Sequence, residues 1–86
     1  MLRAELEAII RQSMKDVAEM NNQTLVDPIV NDTVLLESGM DSLSFAGLVA
    51  SLEFALDFDP FSEAETAFYP TTFVEFVDFY HANQPK

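Results

Sequence analysis

Apolar residues in the first twenty positions recur at steps of three and four. Steps of this size place side chains along one face of an α-helix, so the pattern predicts an amphipathic helix over residues 2–20. Asn21-Asn22 should end it, because Asn favours turns and helix C-termini. The residues that form this stripe are Leu2, Leu6, Ile9, Ile10, Met14, Val17 and Met20.

A long connection without clear periodicity follows, from Asn21 to Asp41. It contains two turn signals, Asp27-Pro28 and Asn31-Asp32-Thr33. A loop of this length is unusual in a small domain and must be fixed to the core by its own apolar side chains. The apolar side chains available for this are Leu25, Ile29, Val34, Leu35 and Leu36.

Asp41 and Ser42 predict the start of a second helix, because either side chain can accept hydrogen bonds from the free N–H groups of a first helical turn. Helical spacing continues as far as Asp57-Phe58-Asp59-Pro60, where proline disfavours helix at the residue before it. The predicted buried stripe is Leu43, Ala46, Val49, Leu52 and Leu56, with Phe45 and Leu48 beside it.

Two capping-box patterns predict the remaining helices. Ser62-Glu63-Ala64-Glu65 predicts a short third helix that ends near Ala67, and Thr72-Phe73-Val74-Glu75 predicts the last helix. No useful strand alternation occurs. We therefore expect a single all-α domain over residues 1–86, a four-helix bundle with three main helices, one short third helix and a long first loop. The last helix should bury Phe73, Phe76, Val77 and Tyr80.

The composition supports a globular domain, with 49% apolar and 22% charged residues. Four basic residues against fifteen acidic ones give a net charge of −11, and no Lys or Arg occurs between Asp16 and Pro85. This charge disfavours nucleic acid and anionic membrane surfaces as partners and favours basic protein surfaces. The longest apolar runs are far shorter than the about 18 residues of a membrane span. The N-terminus also lacks a signal pattern, so a cytoplasmic protein is expected.

Most catalytic and metal-binding motifs are excluded. The chain has no cysteine and one histidine, His81, for which a solvent-facing structural role is expected. Asp57-Phe58-Asp59 begins like a calcium loop, but Ser62 and Phe68 stand where the turn glycine and the bidentate Glu belong. Gly39-Met40-Asp41-Ser42-Leu43 lacks the second glycine of a nucleophile elbow. No metal site and no catalytic residue is expected.

The segment Gly39-Met40-Asp41-Ser42-Leu43, placed before a long helix, resembles the attachment site of acyl carrier proteins. The resemblance covers nearly the whole chain, because the acidity, the long first loop, the short third helix and the aromatic last helix follow the family order. Val34-Leu35-Leu36-Glu37-Ser38-Gly39 is also similar to the family's lead-in to the serine. The alternative, without this context, is that Asp41 and Ser42 are only helix caps.

The resemblance implies that Ser42 carries 4′-phosphopantetheine, transferred covalently from coenzyme A by a phosphopantetheinyl transferase. The thiol of that arm then holds acyl groups as thioesters for loading and transferring enzymes that have basic docking patches. The chain itself is expected to be a monomer and not an enzyme. Asp41, Leu43, Met40, Glu53 and Gly47 are the expected partner-binding residues. Leu43 could equally belong to the core, and Met40 could equally pack as a hydrophobic staple before the helix cap.

The second helix departs from housekeeping fatty-acid carriers, which present acidic residues along it. Gly47 and Phe54 stand where such carriers commonly have Glu, and Ser44 replaces an acidic residue, whereas Glu53 and Asp57 remain. A specialised lipid, polyketide or aminoacyl/peptidyl pathway is therefore the better expectation. Gly47 is either a neutral substitution that the helix tolerates or a small residue that lets a partner protein approach the helix closely.

Eight phenylalanines in 86 residues could fill the core or line a cleft for an acyl chain. Core filling is the default expectation in a small domain. Exposure of Phe54, Phe58 or Phe61 would instead indicate an interaction patch. The competing function is an acidic helical adaptor that binds a basic protein and never carries the arm.

Overall fold

The computed structural model describes residues 1–63 and 70–84, with all side chains in those ranges except Ser62 and Glu63. Three long helices, one four-residue helix and a short 3₁₀ turn make up the regular structure of these residues, as predicted for an all-helical bundle. These residues also contain one isolated antiparallel β-bridge, between Val34 and Thr72. The helices are α1, Arg3–Met20; α2, Ser42–Leu56; α3, Pro60–Glu63; and α4, Phe73–Ala82, with the 3₁₀ turn at Leu35–Glu37.

Helix α1 follows the predicted stripe, and its bounds confirm the sequence interpretation to within one residue. The backbone N–H of Leu2 donates to the Glu5 carboxylate at 3.3 Å, which satisfies one free donor at the helix start. Both ends of the stripe lie outside the core, because Leu2 and Met20 are exposed. The buried apolar residues of α1 are Leu6, Ile10, Met14, Val17 and Ala18.

Most of the apolar residues predicted to fix the first loop do so. Leu35 is buried, and Leu25 and Ile29 pack against the core from its margin. Val34 is half-buried at the bridge to the start of α4. Leu36 was expected to pack in the same way, but it is exposed, because the tight 3₁₀ turn directs only one of two neighbouring leucines inwards.

Backbone hydrogen bonds also join the first loop to the start of α4. The N–H of Leu35 donates to the Thr71 carbonyl at 2.9 Å, and the N–H of Phe73 donates to the Thr33 carbonyl at 2.9 Å. These bonds satisfy backbone groups that would otherwise be unpaired in a loop and at a helix N-terminus. The position of the loop before α2 is therefore set by α4.

Arg11 provides a further contact with this loop that the sequence did not indicate. Its guanidinium donates to the Ile29 carbonyl at 2.7 Å and lies 4.5 Å from the centre of the Phe73 ring. A cation over an aromatic face is electrostatically favourable. One side chain of α1 therefore contacts both the loop and α4.

The predicted buried face of α2 is confirmed at Leu52 and is wrong at its N-terminal end. Leu43 and Ala46 are exposed, although both belonged to the predicted stripe. Glu53 is the only charged residue of the helix, and apolar residues occur around the whole helix circumference. The positions of polar residues therefore do not show which side of the helix is buried. Packing against α1 and the first loop selects the buried face. That face consists of Ser44, Leu48 and Leu52, with Phe45, Val49 and Leu56 at its margin.

Helix α3 begins at Pro60, two residues before the predicted cap at Ser62, so that cap position is wrong. Asp59 precedes it and accepts a hydrogen bond from the Phe61 N–H at 2.9 Å, which is the geometry of a capping carboxylate. The predicted end near Ala67 and the Glu65 half of the capping box lie outside the described residues.

Helix α4 confirms its prediction in full. Thr72 and Glu75 form the expected capping box, with the Glu75 N–H donating to Thr72 Oγ1 at 3.4 Å and the Thr72 N–H donating to the Glu75 carboxylate at 3.2 Å. Helix α1 packs against α2 and α4. In the described ranges no helix is long and apolar enough to cross a membrane. The residues of α4 in the core are Phe73, Phe76, Val77 and Tyr80, as expected.

Candidate functional site

Ser42 is the first residue of α2, and its side chain is exposed. The preceding residue, Asp41, has extended backbone angles and is the N-cap. Because Asp41 takes the capping role, the hydroxyl of Ser42 is not needed to satisfy the first turn. Among the described residues, no side chain or backbone group forms a hydrogen bond with that hydroxyl. The alternative in which Ser42 is itself the cap is therefore wrong.

A small polar network holds this junction in place. The Asp41 carboxylate accepts a hydrogen bond from the Ser44 N–H at 2.8 Å, and this bond holds the pKa of Asp41 below its ordinary value. The Ser44 hydroxyl donates to Gln23 Oε1 at 2.5 Å. Gln23 lies just after α1, so the network connects the end of α1 to the start of α2. The backbone that presents Ser42 is thus fixed from both sides.

Ser42 differs from the other serines in its accessibility. Ser13, Ser38 and Ser44 are buried, with 7%, 0% and 1% of their surface exposed, and Ser51 is half-buried. Among the serines whose side chains the structure describes, only Ser42 is exposed. An enzyme that modifies a serine hydroxyl has to bring it into its own active site. Ser42 meets this condition in the folded protein, and it is the one exposed serine among those whose side chains the structure describes.

The structure separates the two residues that the sequence left undecided between core and surface. Leu43 is 74% exposed, which rules out the core role and leaves it available to a partner. Met40 is 2% exposed and belongs to the core cluster, so its expected place on a partner surface is wrong. Met40 faces inwards because it precedes the N-cap, where the loop still crosses the core.

The α2 residues that the sequence compared with fatty-acid carriers lie on two different faces of the helix. Ser44 is buried and bonded to Gln23, so it does not replace an acidic residue on the exposed face, which corrects the sequence interpretation. Gly47 and Glu53 are exposed, as a partner-binding role requires. Asp57 ends α2 with φ of 63°, a left-handed backbone that Asp tolerates better than most residues. Its side chain is also exposed.

An apolar line runs along the exposed side of α2 between two large side chains. Phe54 is 93% exposed, and it follows Leu43 by eleven residues, or about three helical turns and about 16 Å. Gly47 and Ala50 lie on the same line between them and are also exposed. We call these four residues the α2 surface line. Isolated exposed hydrophobic residues are common, but Phe54 is the most exposed of the large hydrophobic residues in the described part of the chain.

Acidic residues border one end of the α2 surface line. Glu53 precedes Phe54, and Asp57 follows it by one turn. The ion pairs among the described residues join Arg3 to Glu7 and Asp78, and Arg11 to Glu7. No described basic side chain therefore forms an ion pair with Glu53 or Asp57. The surface around Phe54 is therefore apolar at its centre and negative at its edge.

The other described phenylalanines support core filling, and two of them also line an apolar groove. Phe73 and Phe76 are buried, and Phe58, Phe61 and Phe79 are half-buried. An open groove of about 320 Å³ lies between α2 and α3, and all four of its lining side chains are apolar. Phe68, the remaining phenylalanine, lies outside the described residues. The groove is lined by Phe45, Ala46, Val49 and Phe61.

No metal site is found where the structure describes the side chains: no group of three or more His, Asp or Glu residues there could hold an ion. His81 is exposed, as expected from the sequence. The described geometry defines a helical bundle with one accessible serine at the start of α2. Beyond this class, comparison adds nothing further, since no family model, no curated protein and no solved structure matches the chain.

Proposed function

We propose that this chain is an acyl carrier protein that bears 4′-phosphopantetheine on Ser42. The observation that supports this most strongly is the exposure of Ser42 at the first position of α2, directly after a residue that already caps the helix. The order of elements agrees with the family resemblance: a long first helix, a long fixed loop, the helix that follows the serine, a short helix and an aromatic last helix.

The modification requires little chemistry from this chain. A transferase brings coenzyme A to Ser42, and the serine oxygen attacks the phosphorus that is bonded to the pantetheine side. A new P–O bond forms, the pyrophosphate bond of coenzyme A breaks, and the nucleotide part leaves with the electron pair. The transferase removes the serine proton. The chain supplies the nucleophilic oxygen and a surface that the transferase can recognise, so it is not itself an enzyme.

The start of α2 suits a covalently attached phosphodiester. Helix N-termini present free N–H groups and the positive end of the helix dipole, which favour a negative group. No acidic side chain lies in the first turn of α2, and the Asp41 carboxylate is already engaged by the Ser44 N–H. The phosphate would therefore occupy a position where backbone electrostatics partly offset its charge.

The partners of this carrier would be enzymes with basic docking surfaces. They would contact the start of α2 together with the α2 surface line. Leu43 lies next to the attachment serine, and Glu53 with Asp57 supplies negative charge at the far end. Gly47 would allow close approach in the middle. Phe54 replaces the acidic residue usual in fatty-acid carriers, so we propose a specialised lipid, polyketide or aminoacyl/peptidyl pathway.

The test is a transferase assay read by intact-mass spectrometry. Purified protein is incubated with coenzyme A and a broad-specificity phosphopantetheinyl transferase, beside Ser42→Ala and the matched control Ser51→Ala on the same helix. We expect the wild type and Ser51→Ala to gain one phosphopantetheine and Ser42→Ala to gain none. Failure of the wild type to gain mass, while a known carrier in the same reaction does, would contradict the proposal.

The second candidate is an acidic helical adaptor, and the exposure of Phe54 is the observation that favours it. A large aromatic side chain that is 93% exposed on a negatively charged protein fits docking to a basic partner with or without a prosthetic arm. The same transferase assay separates the two functions, because an adaptor would show no mass gain.

A further inference from the structure

A cavity of about 280 Å³ lies between α1 and the first loop, and none of its lining residues belongs to α2. Ligand cavities in proteins are usually about 300–1,000 Å³, so a cavity of this size suits a small molecule better than a nucleotide or a long lipid chain. Its wall combines two basic residues, one acidic residue and several apolar ones. These include Arg11, Met14 and Lys15 of α1 and Leu25, Asp27 and Ile29 of the loop.

Lys15 lines this cavity without a charged partner, although the chain is rich in acidic residues. Of the three basic side chains that the structure describes, Arg3 and Arg11 form ion pairs and Lys15 forms none. Glu19 follows Lys15 by four residues, the spacing at which ion pairs form along a helix, yet no ion pair joins the two. The amino group of Lys15 is therefore available to a ligand.

Asp27 contributes a carboxylate to the same cavity from the loop. It is exposed, and no ion pair joins it to Lys15 or to another described residue. A positive and a negative group thus line one small cavity without neutralising each other. A ligand that carries both charges can pair with both groups at once.

The rest of the cavity wall is apolar and held in place by the core. Met14 is buried, and Leu25 and Ile29 pack against the core cluster. Arg11 donates to the Ile29 carbonyl at 2.7 Å, and its own charge is offset by Glu7 at 3.4 Å. The wall is therefore formed before a ligand binds, which reduces the entropic cost of binding.

The net charge of the protein selects among possible ligands. At −11 the protein repels a simple anion, even one that pairs with Lys15. A simple cation would pair with Asp27 but be repelled by Lys15. A free α-amino acid carries a carboxylate and an ammonium group on one carbon and has no net charge. With an apolar side chain it also matches the apolar part of the wall.

We propose that this cavity binds a free apolar α-amino acid reversibly. The carboxylate of the ligand pairs with the amino group of Lys15, its ammonium group pairs with the carboxylate of Asp27, and its side chain packs on the apolar wall. Binding makes and breaks no covalent bond. The site goes beyond the proposed carrier function and does not depend on it, since Ser42 and the α2 surface line are not part of the cavity.

The experiment is a titration of the unmodified full chain with leucine. Nitrogen-labelled protein is used, and the backbone amide signals report where the ligand binds. We expect saturable shifts concentrated in the first loop and in the part of α1 that faces it. Three analogues each remove one feature of the ligand: isocaproate lacks the ammonium group, isopentylamine lacks the carboxylate, and glycine lacks the apolar side chain. Each should bind at least about tenfold more weakly than leucine, the loss that one charge-assisted hydrogen bond or one buried side chain gives.

Variants assign the two charged contacts. Lys15→Gln and Asp27→Asn should each weaken leucine binding at least about tenfold, whereas Lys15→Arg should retain most of it. Asp32→Asn is the matched control, because it removes the same charge from an exposed residue of the same loop that does not line the cavity. It should bind leucine like the wild type. Circular dichroism checks that each variant is folded before the titrations are compared.

Three results would overturn the inference. The first is the absence of saturable shifts with leucine. The second is isocaproate binding as tightly as leucine, which would make the cavity a simple carboxylate site. The third is unchanged leucine binding in folded Lys15→Gln or Asp27→Asn. None of these results bears on whether Ser42 accepts phosphopantetheine, because the titrations use the unmodified protein.

Discussion

The two glycines of the chain lie in opposite environments, so the same substitution should change stability in opposite directions. Gly47 lies inside α2 on its exposed side, and a Cβ added there would meet only Val17 Cγ1, at an ordinary contact distance of 3.7 Å. Gly39 lies in the loop before α2 with φ of 111°, and a Cβ there would lie 2.1 Å from the Thr24 carbonyl oxygen. The first position has room for a methyl group and the second does not.

The expected magnitudes follow from these distances. In a helix interior Gly is less favourable than Ala by about 0.5–1 kcal/mol, so Gly47→Ala should stabilise the protein by that amount. For Gly39→Ala, left-handed backbone strain of about 1–3 kcal/mol adds to overpacking of about 1–3 kcal/mol, and the obstructing atoms are backbone. A domain of this length has a total stability of only about 4–13 kcal/mol, so Gly39→Ala should be strongly destabilised or unfolded.

The assay is urea unfolding followed by circular dichroism, on wild type and both variants under identical conditions. Because both substitutions are Gly to Ala, they change the entropy of the unfolded chain by nearly the same amount, and the difference between them reports on the folded state. A Gly47→Ala variant that is less stable than wild type would contradict the open environment of that residue. A Gly39→Ala variant of wild-type stability would contradict the close contact between the loop and Thr24.

The remaining predictions concern exposure, ionisation and charge. Phe54→Ser should change stability by no more than about 0.5 kcal/mol because Phe54 is exposed, whereas Phe76→Ala should cost about 3–5 kcal/mol; similar losses in chemical denaturation would contradict this. Burial raises the pKa of Tyr80, so its stability contribution is complete below the ordinary pKa of 10.0 and is lost as pH rises above it; alkaline unfolding of Tyr80→Phe should lack that part of the loss, and identical pH profiles would argue against it. With a net charge of −11, moderate salt or divalent cations should raise the melting temperature through screening, and a flat response in a salt series would count against self-repulsion.

A functional readout on Gly47→Ala also addresses why a glycine lies there. If Gly47 is only tolerated, the stabilised variant should accept phosphopantetheine at the wild-type rate. If the glycine makes room for a partner, the added methyl group should raise the KM of the transferase reaction while folding improves. Both the rate assay and the unfolding assay can be run on one preparation.

The sequence predicted the parts of the fold that are governed by local signals. The Thr72–Glu75 capping box set the start of α4, and the four residues predicted to be buried in α4 are buried. Asp41 and Ser42 were placed correctly at the start of α2 because capping chemistry depends on neighbouring residues alone. The starts of α2 and α4 both followed from these signals.

The parts that could not be predicted depend on contacts between distant residues. Helix α2 has apolar residues around its circumference, so only packing against α1 and the loop could decide that Leu48 faces inwards and Leu43 outwards. The contact of Arg11 with Ile29 and Phe73 joins three segments, and no local pattern marks it. The absence of a hydrogen-bond partner for the Tyr80 hydroxyl among the described residues could not be predicted either, because the sequence indicated only that Tyr80 belongs to the core.

The acidic surface takes on a more specific form in three dimensions. The sequence indicated a negative chain that should meet basic partners, with a reduced number of acidic residues on the second helix. The structure places Phe54 at the end of the α2 surface line, beside Glu53 and Asp57. A partner that fits this surface needs an apolar pocket bordered by cations, so part of its affinity should persist at high salt.

We propose that the accessible hydroxyl at the start of α2 receives the prosthetic arm. The site of attachment is found by digesting the transferase-treated protein with a protease that cleaves at acidic residues, and by sequencing the modified fragment in the mass spectrometer. We expect one phosphopantetheine, located on Ser42 and on no other residue. Modification at a different serine, or an unmodified Ser42 after complete reaction of a control carrier, would contradict it.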